Sequence, residues 1–507
     1  MDTSRRGESG AGPQRPRSGP ARREVVAVAG ASGYIGTAVG EALRERYDTI
    51  GLSRSERSPT RGYPTWRAAD LFSLREAERA LAGVDRAVYL VHSMLPTERL
   101  TQGSFADLDL ICADNFARAA ARAGVKQIIY LGGIVPRDRP HGAGLSRHLE
   151  SRLETEATLA AHGVPVTALR AGLVIGRGGS SFVILERLVR RLPVMVCPAW
   201  TRTRTQPIAL EDVVAAISAC LGRDDVDGAF DIGGPDVVTY QALMQRTAQA
   251  MGLRRPMVPV PLVTPRLSRL WVSLVTGTSK ALVAPLIESL IHPMVARDGA
   301  LQERLGLEAK PLDAALRDAV RPLEGDAAAP SRPRPRSRRR ERPASLVKSA
   351  QRMRLPPGRD AEWVAREYMR WLPDALRPLL RVEREGDAIH FRLSRVAGEL
   401  LTLRVAPRRS TADRQVFDVV GGRLADVDAG PRARLEFREA LDGAQILAAI
   451  HDFVPRLPWP IYRATQAIVH LLVMRAFGRH LARVADRGRA LDRRAVDDRE
   501  GATAAAE

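Results

Sequence analysis

An α/β fold, with a doubly wound parallel sheet followed by a smaller antiparallel α+β unit, is what this sequence predicts, and three observations predict it. Between Glu24 and about Arg321, short and continuously apolar runs alternate with helix-length amphipathic stretches. That is the pattern of strand–helix–strand units whose parallel sheet is covered on both faces. A glycine-punctuated turn, Gly30-Ala31-Ser32-Gly33-Tyr34-Ile35-Gly36, joins the first apolar run to the first helical stretch. Beyond a Pro/Arg-rich break at 323–357, the apolar residues recur at every second position, as they do in strands with one face buried.

The elements follow in order. Val25–Ala29 reads as the first strand, Thr37–Tyr47 as a helix, and Asp48–Ser53 as the second strand. Leu74–Leu81 has helical spacing, Ala87–His92 is apolar throughout, Asp107–Ala123 is a long helix, and Gln127–Leu131 is another buried strand. Arg147–His162 and Val166–Arg170 add one more helix and strand. In the second unit Ala361–Leu380 reads as a helix, and alternating runs around Ile389, Leu401, Val416 and Leu435 read as strands. A mixed run covers Gln445–Val454, and a long amphipathic helix is expected from about Pro460 to Val484. The chain thus divides into a tail over 1–23, a first unit over 24–322, a linker over 323–357, a second unit over 358–485 and a tail over 486–507. The linker composition cannot bury a core, so flexible linkage of the two units is expected.

Composition removes several function classes. The 507 residues contain 45% hydrophobic and 27% charged residues, which excludes disorder of the whole chain. The net charge of +20 suggests a nucleic-acid binder, but 12 of those charges lie in 1–24 and 331–354, outside the folded units. Arginine supplies nearly all of the 78 basic residues, lysine standing only at 126, 280, 310 and 348. Nucleic acid is therefore not the expected partner, since a phosphate groove concentrates charge on a folded face with interleaved aromatics. Cys112, Cys197 and Cys220 are odd in number and widely spaced. They fit neither a disulfide framework nor a zinc site, and a reducing cytoplasm is expected. No run reaches the ~18 uncharged apolar residues of a spanning helix, and the Arg/Pro/Gly-rich start lacks a signal-peptide core. Peripheral membrane contact stays open, and the oligomeric state is not legible.

The glycine turn carries the strongest chemical signal. Gly30 permits a tight turn, Gly33 lets backbone N–H groups approach a pyrophosphate, and Gly36 lets the helix pack against the sheet, while the helix N-terminus favours an anion. Ser32, Tyr34 and Ile35 complete the loop. In this strand–turn–helix setting the motif predicts dinucleotide binding on an α/β Rossmann sheet. The tip of the second strand reads Gly51-Leu52-Ser53-Arg54-Ser55. It lacks the acid that would accept hydrogen bonds from a free ribose, so Ser53 and Arg54 point to a 2′-phosphate and hence to NADP rather than NAD.

With these segments in view, the chain resembles the extended and atypical short-chain dehydrogenases, in the branch of nucleoside-diphosphate-sugar-epimerase-like and nitrogen-metabolite-repressor-like proteins. GASGYIG, Asp70-Leu71, AVYLVHSM (87–94), IIYLGGIVP (128–136), SRHLESRLETE (146–156), LRAGLVIG (169–176) and QPIALEDVV (206–214) carry the resemblance, which spans about residues 24–310. It implies that Asp70 and Leu71 lie near the adenine. It also implies that Val91, His92 and Ser93 line the nicotinamide side, and that residues from about 172 onward form a substrate lobe. Enzymes of the family use Tyr and Lys four residues apart with a Ser from the preceding strand. Aligned on RLETE, this chain has His148 at the Tyr position and Arg152 at the Lys position, with Gly132 and Gly133 where the Ser would be.

His148 and Arg152 share one helical face at i, i+4 spacing. His148 would move the proton and Arg152 would steady ribose or substrate charge; otherwise both are ordinary polar residues of a helix flank. Ser146 and Ser151 are neighbouring hydroxyls. The stretch Arg266–Val295, with Trp271, Leu274, Leu282, Leu286 and Leu290, reads as a buried lobe face whose walls would suit a bulky apolar substrate. The C-terminal unit resembles an uncharacterised domain that follows such dehydrogenase domains, and also the helix-grip class, in which a sheet and a long helix enclose an apolar cavity. Trp459, Tyr462, Ile468, Leu472 and Phe477 are expected in its core, with His470 packed mid-helix. Two functions follow: an NADP-dependent oxidoreductase acting on a small or lipid-like carbonyl compound, or a dinucleotide-binding sensor without turnover.

Overall fold

The computed structural model describes residues 22–92, 100–136, 144–260, 275, 277, 288–321, 346–394, 398–428 and 433–504. Ser93, Trp271, Leu274, Leu282 and Leu286, together with most of the N-terminal tail and of the linker, lie outside the described residues.

The first unit opens β1 (Val25–Ala29), α1 (Tyr34–Leu43), β2 (Asp48–Ser53), β3 (Thr65–Ala68), α2 (Leu74–Leu81), β4 (Arg86–Tyr89) and β5 (Leu100–Gln102). It continues with α3 (Phe105–Ala123), β6 (Ile128–Gly133), α4 (Arg147–Ala160) and β7 (Val166–Ala171). Seven strands form one sheet in the order Gly228–Ile232, β7, β6, β4, β1, β2, β3, every pair parallel. Alternation along β1 builds both faces at once. Ala27 and Ala29 join the core beneath α2 and α3, whereas Val26 and Val28 join the core beneath α1 and Leu210–Cys220. Local signals set the long helix. Ser104 and Asp107 form a reciprocal capping box at the start of α3, and Gly124 closes it in the left-handed region at φ 72°. The strand order reverses between β1 and β4, and the crevice outside their C-terminal ends is where such sheets bind ligands.

The second unit is an antiparallel sheet in the order Leu380–Glu385, Ala388–Leu393, Glu399–Val405, Arg414–Gly421, Arg434–Ala440, Gln445–Phe453, Val347–Arg354. Helix Ala361–Ala375, shorter than the periodicity suggests, packs on it, and the terminal helix runs Gln466–Ala504 after a short helix Trp459–Ala464. The helical C-terminus corrects the expectation of a tail from 486. Tyr368, Phe437 and Phe477 fill the space between helices and sheet, with ring centroids 5.0–6.5 Å apart.

Two further expectations are corrected. Val347–Arg354 falls inside the segment whose composition reads as linker, yet it is a largely buried strand of the second sheet. Two of its three charges are satisfied across the unit boundary: Lys348 pairs with Asp70, and Arg352 donates to Asp107 at 2.9 Å and to Glu154 at 2.6 Å. The two units share structure along one sheet edge. β5 of the first unit pairs parallel with Val347–Ser349, and Ala350, Ala440, Leu447 and Ala449 belong to the same core as α2 and α3. Arg438, 2% exposed, donates to Asp114 and, at 2.7 Å, to Asn115 on α3. Burial pushes the Asp114 carboxyl up, but Arg438, His162 and Arg118 together hold it well below the usual range.

Candidate active site

The glycine loop folds as its residue types require. Gly30 adopts φ 85°, which side chains disfavour, and its carbonyl accepts the Gly33 N–H at 2.9 Å. A Cβ on Gly36 would lie 2.3 Å from the Gly30 carbonyl oxygen, so only glycine lets α1 start this close to the turn. No side chain caps α1 and no acid stands in its first turn, leaving its N–H groups and dipole for an anionic group. Ser32 and Gly33 are exposed at the mouth, and Tyr34, Ile35 and Gly36 line the cleft behind them. This loop fits a dinucleotide pyrophosphate.

At the tip of β2, Ser53 is buried and its Oγ accepts from the Arg57 Nε at 3.0 Å. Arg54 is exposed beside it, and the Arg57 guanidinium lies 5.5 Å from the Trp66 ring. Arg57 is a second guanidinium at this tip, brought to Ser53 by the loop that follows β2. Asp70 and Leu71 follow β3 and are both buried. The Asp70 carboxylate accepts the Phe72 N–H at 3.1 Å and pairs with Lys348, while the Leu71 carbonyl accepts from Asn115 at 2.9 Å. The turn expected beside the adenine is thus anchored to the C-terminal unit.

A cavity of about 480 Å³ runs from the glycine loop to residues of the segment beyond 172. His92, Gly132, Gly133, His148 and Arg152 line it, so the structure brings both expected catalytic residues together with His92. Val91 packs on the core beside them. His92 leaves the end of β4, and its Nδ1 lies 2.6 Å from the carboxylate of Asp109 on α3, which is 2% exposed. The ring centroids of His92 and His148 are 5.0 Å apart. His92 Nε2 and His148 Nδ1 are buried without hydrogen-bond partners among the described residues. Burial lowers the His92 pKa against the opposing Asp109 bond. Burial, the Arg152 charge and His92 push His148 down to about 3, so both rings are neutral at neutral pH.

Arg152 lies one turn beyond His148, 5.7 Å from the Tyr130 ring, with no carboxylate in salt-bridge reach among the described residues. Ser146 is used structurally: its Oγ caps α4 through the Leu149 N–H at 3.3 Å and lies 2.9 Å from Ser289 Oγ. The Ser151 hydroxyl is buried without a partner among the described residues.

The outer wall is apolar. Ile184, Leu185 and Leu188 from the helix Ser180–Arg191, Trp200, Tyr240 and Met244, and Leu290 and Met294 line it. Of the expected apolar face at 266–295, Leu290 is the named residue that the structure describes at the cleft. Trp200, Tyr240 and Asp109 were not legible in the sequence. Asp109 left one trace, an acid inside an otherwise apolar helix face, Leu108-Asp109-Leu110-Ile111.

Residues 30–188 match the family described as NAD(P)H-binding. Auxiliary protein GraX of Staphylococcus aureus (strain NCTC 8325 / PS 47) is 34% identical over 110 residues, 21% of this chain and 36% of that protein, so the chain spans about a third of that relative's length. Among solved structures, an NADPH-dependent quinone oxidoreductase from Escherichia coli complexed with NADPH is 19% identical, with a TM-score of 0.45 over 57% of this chain and 98% of that one. The Citrobacter triphenylmethane reductase complexed with NADP(H) is 18% identical, with a TM-score of 0.46 over 58% and 100% of the two chains. A nucleoside-diphosphate-sugar epimerase from Staphylococcus aureus is 18% identical, with a TM-score of 0.46 over 58% and 99%.

Proposed function

The chain carries an NAD(P)H-binding domain over residues 30–188, and from that premise we propose that it is an NADPH-dependent oxidoreductase acting on an apolar carbonyl compound. The observation that carries this reading is the pair of facing histidines with orphaned ring nitrogens, in an apolar-walled cleft that opens onto the glycine loop. Ser53, Arg54 and Arg57 at the tip of β2 support NADPH over NADH, because guanidinium groups suit a 2′-phosphate.

NADPH, when bound, supplies a hydride. The chain supplies orientation and proton handling. Asp109 accepts the Nδ1–H of His92, which fixes the tautomer and leaves Nε2 as an acceptor; Nε2 takes up a proton from solvent water and passes it to the substrate oxygen as the hydride reaches the carbonyl carbon. His148, neutral well below pH 7, donates an N–H hydrogen bond to that oxygen without carrying a full charge. Arg152 offers a cation to a phosphate, ribose hydroxyl or developing oxyanion. Gly132 and Gly133 leave space at the end of β6 where the family carries a serine side chain. The apolar outer wall supports a lipid-like or aromatic substrate over a sugar.

The test is substrate-dependent NADPH oxidation across a panel of quinones, aldehydes and ketones, with His92→Ala and His148→Ala beside the wild type. Each variant should bind NADPH as the wild type does and lose about a hundredfold or more in kcat. The absence of family Tyr, Lys and Ser residues favours a second reading, a dinucleotide sensor without turnover. NADPH binding with no oxidation over the whole panel, unchanged by either substitution, would select it.

A further inference from the structure

The terminal helix of the second unit has two apolar faces, and the fold uses one. Ala467, Met474, Phe477, Leu481 and Ala485 point into the core. On the opposite face Ile468, Val469 and Leu472 are 50%, 56% and 55% exposed, and Ile461 on the preceding short helix is 51% exposed. A helix that is apolar all round belongs inside a core or against an apolar medium, and four large aliphatic side chains grouped this way mark an interaction site.

The surrounding charge identifies the medium. From Phe453 to Ala485, 33 residues contain five arginines and no Asp or Glu, although the whole chain holds 58 acids. Those arginines are 456, 463, 475, 479 and 483, all exposed, and none has a carboxylate partner among the described residues. Arg475, Arg479 and Arg483 continue the exposed face of Ile468 and Leu472 in the next turns. A second copy of the chain is a poor occupant, because a two-fold contact would set this acid-free arginine cluster against itself. Aliphatic side chains followed along one face by unpaired arginines match the boundary between acyl chains and anionic headgroups. None of the described helices is long and apolar enough to cross a membrane, so the contact is with the surface.

We propose that the C-terminal unit docks the protein on an anionic lipid surface, with Ile461, Ile468, Val469 and Leu472 entering the headgroup boundary and Arg463, Arg475, Arg479 and Arg483 contacting lipid phosphates. The experiment is co-sedimentation of the full chain with vesicles of phosphatidylcholine alone or mixed with phosphatidylglycerol, at low and high salt. Binding to the mixed vesicles is expected. Ile468→Glu with Leu472→Glu should weaken it by about tenfold or more, and Arg475→Gln with Arg479→Gln and Arg483→Gln by roughly a hundredfold at low salt. A Leu472→Trp variant provides a check without loss of function: its emission should shift to the blue when mixed vesicles are added. No sedimentation with mixed vesicles would overturn the proposal, as would binding that survives both sets of substitutions. It would equally fail if neutralising the arginines of 332–342 alone abolished binding, or if Ile468→Glu dissolved a dimer instead.

Discussion

His92 and His148 define the site at the level of single residues, and their neutrality follows from where they stand. Both rings are desolvated by the cleft walls, both feel the Arg152 cation, and Asp109 opposes the effect only at His92. An ordinary histidine would charge near pH ~6.5; His148 stays neutral well below that, and burial lowers His92 as well. Replacing Asp109 by Asn keeps a hydrogen bond at Nδ1 but removes its preference for the protonated form, so His92 can present the wrong tautomer. Asp109→Asn is expected to lower kcat by about a hundredfold while the NADPH dissociation constant changes by less than about threefold. Stopped-flow turnover beside a binding titration measures both; an unchanged kcat would remove His92 from the mechanism. At this scale the glycines stand out by motif spacing, and the resemblance to the dehydrogenases singles out His92, His148 and Arg152, which the structure places along one cleft. Asp109 approaches His92 from another element, and Lys348 reaches Asp70 across 278 positions. No periodicity encodes such pairings.

At the level of elements, the turn from β1 to α1 and the seam between the units carry the structure. The Gly36 position has no space for a side chain, since a methyl group would meet the Gly30 carbonyl and the Ala31 Cα at 2.3 and 2.8 Å. Gly36→Ala should push α1 off the turn, cost about 1–3 kcal/mol of stability and weaken NADPH binding by tenfold or more; calorimetry and titration would report the two effects separately. The seam depends on Arg438, whose guanidinium holds Asp114, Asn115 and Glu436 together in a buried cluster. Arg438→Met breaks a buried ion-pair cluster and leaves Glu436 to Arg414 and Asp114 to Arg118 and His162, so a loss of about 3 kcal/mol is expected. Its thermal unfolding should split into two transitions as the units uncouple; a single transition at the wild-type temperature would contradict this role. The strands and helices of the first unit were legible because continuous apolar runs and capping residues identify them locally. Val347–Arg354 was not, because its Lys348, Arg352 and Arg354 resemble linker charge until their partners are known. Ile468 and Leu472 were expected in the core on helical spacing alone, and that spacing cannot tell a buried apolar face from an exposed one.

For the whole molecule, the two units share a sheet edge and a core, and their buried histidines link stability to pH. His148 is held to about 3, and His451 and His470 to about 4, in each case chiefly by burial. A lowered folded-state value means the unfolded chain takes up protons first as pH falls, so stability is full above about pH 6.5 and declines below it. By about pH 5 each histidine should have cost about 2 kcal/mol, before paired carboxylates such as Asp114 begin to protonate. Urea denaturation over this range should show the decline, and a flat profile would contradict the burial of these rings.

The proposed function requires that the first unit hold NADPH in the cleft where His92 and His148 meet. Fluorescence titration of the purified chain with NADPH and separately with NADH tests it most directly, with Arg54→Gln as the companion. Tight NADPH binding is expected, with NADH binding at least about tenfold weaker and an Arg54→Gln variant losing about 1–2 kcal/mol toward NADPH alone. Failure to bind either nucleotide would contradict it and reduce the glycine loop to a packing turn.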